Sequence, residues 1–130
     1  MYVVIIGARE RKESDEDKKH VKELIRELVA QHGSRLIILS VGCDKGVGKV
    51  AREFCMDNKV VFIETRIKFE GEDIKRQVFA HAFLARNLVL INMGDEFYVY
   101  RGTNENGIIE SLIEPAKAKV GAQRVHEFGA

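Results

Sequence analysis

Three glycine-bearing segments carry the residue types that hold anions. In Gly7-Ala8-Arg9, the glycine lets the backbone pass close to a guest, and the arginine offers a planar fork of donors to a phosphate or carboxylate. The second segment is Gly42-Cys43-Asp44-Lys45-Gly46-Val47-Gly48. Its glycines expose backbone N–H groups, and a helix opening at its end adds a partial positive charge, so together they form a cradle suited to phosphate. The spacing is neither the dinucleotide fingerprint nor a P-loop. In the third, Tyr100-Arg101-Gly102-Thr103-Asn104-Glu105, Thr103 is a good helix cap, Gly102 allows close approach, and Arg101 and Glu105 bring opposite charges to one rim.

These segments need elements to position them. Residues 2–6 form an apolar, β-branched run that stops at Gly7, the pattern of a strand buried on both faces. Ser14 stands three residues before Asp17 in a capping-box arrangement, and Val21, Leu24, Ile25, Leu28 and Val29 recur at helical spacing as far as Gly33. Residues 36–41 make a second apolar run, ended by the second glycine segment; Val50, Ala51, Phe54 and Cys55 then resume helical periodicity. Residues 60–63 read as a third strand, 74–85 as a third helix and 88–93 as a fourth strand. A fourth helix is expected to open at Thr103, with Ile108, Ile109, Leu112 and Ile113 on one face and Pro115 kinking or ending it. Residues 124–128 permit a short last strand. Strands alternating with helices predict an α/β fold, a three-layer Rossmann-like sandwich with a mainly parallel sheet of four or five strands in the order 3-2-1-4-5. In such a sheet all three segments fall on the carboxyl edge, and the strand order reverses between the first and fourth strands, where ligands bind.

Composition narrows the partners. The 130 residues suit one domain, and 45% hydrophobic with 32% charged residues is ordinary globular composition. Twenty-one Lys and Arg against 20 Asp and Glu leave a formal charge of +1, so no global field draws in a polyanion. No apolar run approaches the roughly 20 residues that span a bilayer, which predicts a cytoplasmic protein without a membrane partner. Cys43 and Cys55 have no Cys or His at zinc-ligand spacing, so neither a metal site nor a disulfide framework is expected, and no cofactor is implied. His20, His32, His81 and His126 are scattered; His81, beside Phe79 and Phe83, reads as a core-edge residue rather than a general base. Tyr98 and Tyr100 suit stacking on a base or packing against their own domain. The charged run over residues 9–19 reads as a solvated loop and helix start. Phe79, Phe83 and the Ile108, Ile109, Leu112 and Ile113 stripe form a candidate homodimer surface on the third and fourth helices.

Taken in order, Val4-Ile5-Ile6-Gly7-Ala8-Arg9, the segment from Gly42 through Lys49-Val50-Ala51, Lys75-Arg76-Gln77 ahead of residues 88–92, and Arg101-Gly102-Thr103 resemble the SLOG superfamily. This Rossmann-like group also holds the DNA-processing protein DprA and the LONELY GUY enzymes, and the likeness is above all to its small YspA-like branch. That branch shows a G-S-R turn, a G-G-A-x-G-A-D loop, an R-N pair on the third helix and an R-G-T or G-G-T turn. The resemblance implies binding of a small-molecule nucleotide, or a nucleotide-derived signal, by Gly7, Arg9, Gly42, Gly46, Arg76, Gly102 and Thr103. Cys43 replaces a glycine of the pattern, Asp44 a small residue, Gly48 an acid and Gln77 an asparagine. The phosphoribohydrolase members carry P-G-G-x-G-T-x-x-E; here Asn106 holds the place of the glutamate and Glu105 comes one residue early, a turn of about 100° on a helix. Two other readings stay open. One is hydrolysis of a nucleotide's N-glycosidic bond, with Glu105 or Glu110 as the catalytic carboxylate that stabilises charge on the ribose. The other is a single-stranded DNA-binding module, which the near-zero net charge disfavours.

Overall fold

Strand β1, Tyr2–Gly7, has no side left for solvent: Val3 and Ile5 pack into one hydrophobic cluster, Val4 and Ile6 into another, and all four are fully buried. Such a strand belongs in the middle of a sheet covered on both faces. The computed structural model places it there, and describes residues 1–12, 14–42, 45–66, 76–104 and 107–129, with the side chains of 76–81 left out. Strands β2 (Ile37–Val41), β3 (Val61–Thr65), β4 (Glu96–Tyr100) and β5 (Val125–Phe128) complete a sheet of order β3-β2-β1-β4-β5. Every pairing is parallel; β1 runs beside β4 from Val3 opposite Glu96 to Gly7 opposite Tyr100, and beside β2 from Tyr2 opposite Ile37. This is the α/β sandwich, and the strand order, that the alternation predicts.

Helices α1 (Asp15–His32) and α2 (Val47–Asp57) cover one face. Ser14 caps α1 as expected, its hydroxyl accepting from the Asp17 N–H at 3.1 Å, and Val21, Leu24, Ile25 and Leu28 are buried while Val29 lies open. Cys55 on α2 is fully buried, which pushes its thiol up to about 12. Helices α3 (Arg76–Met93) and α4 (Ile113–Val120) cover the other face.

Two expectations are corrected. Residues 88–93 are not a strand but the last turns of α3, and β4 follows at Glu96. An unbroken apolar run has no period of its own to separate a buried strand from a helix, and no glycine or proline interrupts residues 76–93. The helical reading is visible in burial, since Leu90 is 0% exposed and its neighbour Leu88 58%. The fourth helix does not open at Thr103; a single 3-10 turn at Glu110–Leu112 leads into α4 at Ile113, so Pro115 sits in the first turn of that helix rather than at its end. A first-turn N–H has no acceptor inside the helix, so proline is tolerated there. Ile109, Leu112 and Ile113 are core residues against the sheet, and so are not a free surface for a second chain. Lys119 fastens α4 to the end of α3, its ammonium donating to the carbonyls of Ile91, Asn92 and Gly94 at 2.7, 2.6 and 3.1 Å.

Truncation separates the two faces of α3. Leu90→Ala leaves a cavity and lowers unfolding free energy by about 2–5 kcal/mol in urea melts, whereas Leu88→Ala changes it by less than about 1 kcal/mol at chain concentrations dilute enough to keep the protein monomeric. A large loss at Leu88 under those conditions contradicts the helix. Alkali tests the Cys55 site. Between the ordinary thiol value of 9.0 and about 12 the unfolded chain has released a proton that the folded chain keeps, so stability is intact below 9 and falls as pH rises. Wild type therefore loses up to about 1.4 kcal/mol per pH unit more than Cys55→Ala in that interval, read from paired denaturation curves.

Candidate functional site

The three turns meet because small residues let them. A Cβ on Gly7 would stand 3.0 Å from that of Val47, which sets the end of β1 directly against the start of α2. Gly46 has φ +87°, a conformation that side chains rarely adopt, and a Cβ there would lie 3.2 Å from the Arg11 carbonyl oxygen. On the other side the Ala8 N–H donates to the Tyr100 carbonyl at 2.9 Å, and a Cβ on Gly102 would stand 2.9 Å from that of Ala8.

Between these turns lies a cleft of about 780 Å³. Gly7, Ala8 and Arg9 line it from β1, Gly42, Lys45 and Gly46 from the second glycine segment, and Val47 and Gly48 from the first turn of α2. Gly46 is the N-cap of α2 and has no side chain to offer the first-turn amides. Arg9 and Lys45 are exposed, and Arg86, half-buried, comes in from α3 with its guanidinium 5.0 Å above the Phe83 ring. Phe83, Ile108 and Ile109 supply apolar wall. Cys43, Asp44 and Glu105 lie outside the described residues. Arg76 opens α3, and its side chain lies outside them too.

The third segment is divided: Asn104 lines the cleft, while Arg101, Gly102 and Thr103 do not. Arg101 pairs with Glu127 of β5 at 3.1 Å, and Thr103 is exposed beside a second, smaller hollow that Gly102 also lines with Glu10, Arg11 and Lys12. The Gly102 N–H donates to Glu110 Oε1 at 2.9 Å. Glu110, 7% exposed, therefore reaches the cleft while its carboxylate holds the backbone of a neighbouring turn, and a Cβ on Gly107 would stand 2.2 Å from its other oxygen. Tyr100 is buried, its hydroxyl 2.6 Å from His20 Nδ1, so it packs within the domain.

Residues that sequence reasoning passed over complete the rim. Arg11 and Asp17 fall in a run read as solvated, yet both are largely buried. Arg11 Nε and Nη2 each donate to Asp17 at 2.9 Å, and its Nη1 donates to the carbonyls of Arg101, Phe128 and Gly129 at 3.0, 2.9 and 2.5 Å. One guanidinium thus ties the first turn to the chain leaving β4 and β5. Arg86 and Asn87 stand side by side on α3, beyond residue 85 where the sequence pattern ends that helix, and the Arg76-Gln77 position named from the sequence lies with its side chains outside the described residues. Buried Asn87 donates to the Ile108 carbonyl at 2.6 Å and so carries the wall formed by residues 107–110, while its Oδ1 has no hydrogen-bond partner among the described residues.

No protein-family profile matches the chain, and no curated protein does. Among solved structures, the molybdenum cofactor carrier protein of Chlamydomonas reinhardtii is similar over 97% of this chain and 87% of that one, with a TM-score of 0.48 and 11% identity. Among the described residues no group of three His, Cys, Asp or Glu is placed to hold a metal ion, and no helix is long and apolar enough to cross a membrane.

Glu110 substitutions measure its hold on Gly102. Glu110→Leu strands that amide and costs about 1–3 kcal/mol of stability, while Glu110→Gln keeps an acceptor and costs less than about 1 kcal/mol. Equal losses in chemical denaturation would show that the hydrogen bond is not the contact that matters.

Proposed function

We propose that this protein binds a phosphorylated nucleotide, or a nucleotide-derived signal, in the cleft at the carboxyl edge of the sheet. The observation that carries this reading is the cleft's position and lining: it opens where the strand order reverses, against the first turn of α2, with three cations, Arg9, Lys45 and Arg86, against two carboxylates, Glu10 and Glu110, of which Glu110 is engaged with the Gly102 amide. Helix-start amides and flanking cations favour a multiply charged anion, and about 780 Å³ accommodates a mononucleotide within the ordinary range of ligand pockets. Phosphate belongs beside Gly42, Gly46 and Gly48, with Lys45 and Arg9 neutralising it. The base belongs toward Phe83 and Ile108, the apolar end of the lining. The resemblance of Gly7-Ala8-Arg9, the Gly42–Gly48 segment and Arg101-Gly102-Thr103 to motifs of the SLOG superfamily supports the same ligand class.

Isothermal calorimetry against nucleoside mono-, di- and cyclic phosphates tests the reading. At least one should bind at micromolar to submillimolar Kd, and Lys45→Ala and Arg9→Ala should each weaken it about 5- to 30-fold, as expected for a lost charge-assisted hydrogen bond. A folded sample that binds none of them at millimolar concentration overturns the proposal.

A further inference from the structure

Helix α3 carries large apolar side chains on both its inner and its outer side over its last turns. Leu90 and Ile91 are buried against the sheet, yet Leu84, Leu88, Val89 and Met93 on the opposite side are 48, 58, 46 and 38% exposed. Ala85 and Asn92 complete that outer face, and Ile108 stands 38% exposed on the segment that Asn87 anchors to the helix. Residues 84–93 contain one charge, Arg86, and it turns into the cleft. A helix that is hydrophobic on every side is normally covered on every side.

We propose that a second copy of this chain covers the outer face of α3, two helices meeting antiparallel about a two-fold axis between Leu88 and Val89. The open positions come in the order i, i+1, i+4, i+5, i+8, i+9, which reads the same in both directions. A two-fold contact therefore sets Leu84 against Met93, Ala85 against Asn92 and Leu88 against Val89 of the other copy, as a closed isologous interface requires. The area fits such a contact. The five open apolar side chains present on the order of 400 Å², near the apolar share of the roughly 800 Å² that each partner buries in a standard interface. The charge pattern also favours a like partner, because a face without charges has nothing to steer a charged protein or an anionic surface and is its own electrostatic match. Of the residues the sequence offered for a homodimer only Ile108 stands on this face; Phe83 lines the cleft, the Phe79 side chain lies outside the described residues, and Ile109, Leu112 and Ile113 lie in the core. Arg86 and Phe83 line the cleft and Ile108 borders both the cleft and this face, so the pairing is tested by mass, which reads independently of ligand binding.

Sedimentation velocity and light scattering at about 10–100 μM test this. Wild type should show twice the 14.7 kDa chain mass. Leu88→Lys and Val89→Glu, both at open positions, should each keep the far-UV spectrum of the fold and weaken dimerisation at least 100-fold. Mixing the two variants should restore a heterodimer, because the lysine at 88 then faces the glutamate at 89 across the axis. Wild type that stays at the chain mass overturns the proposal. So does a dimer that both single variants leave intact, which would lie on another face, and so does a mixture that stays monomeric.

Discussion

The close approach of β1 to α2 is the constraint on which the rest of the structure depends. With only hydrogen at Gly7, the backbone leaving the central strand comes within van der Waals reach of Val47, and the start of α2 is drawn to the carboxyl edge of the sheet. A side chain there would push the helix start away and open the floor of the cleft. Gly46 completes the arrangement by turning the chain through a positive φ into the helix, whose first residues, Val47 and Gly48, line the cleft.

Around that point the molecule uses polar groups as fasteners. Arg11 satisfies three carbonyls from the two strands on the far side of the switch point and is itself held in both arms by Asp17. Glu110 grips the turn after β4 through the Gly102 amide, and Lys119 closes the last carbonyls of α3. Each is a charged group spent on backbone atoms of a different element. Loops that carry many glycines gain their order this way, because their own residues supply little side-chain packing. The Gly102 amide is thereby taken up by Glu110, while α2, Arg9, Lys45 and Arg86 line the cleft on its other sides.

Much of the architecture was legible in local patterns. The doubly apolar run at residues 2–6, the glycine stops and the Ser14 cap each report a constraint that acts within a few residues, and their alternation implies the parallel order. Residues 88–93 were misread because their apolarity has two causes at once, an inner face against the sheet and an outer face that the single chain leaves open. Arg9 and Lys45 were found at the rim because they follow strands directly. Arg86 was not, because it enters from the middle of a helix whose length local pattern could not settle.

The residues alone determined that there is one α/β sheet with β1 at its centre and that glycine turns, arginines and a helix start share one edge, since periodicity and chain direction act along the sequence. Only the tertiary structure decided which charges look into the cleft and which are consumed in holding it: Arg11, Arg101 and Glu110 meet partners 6 to 118 residues away, and such pairings arise from how elements pack, which no local spacing encodes.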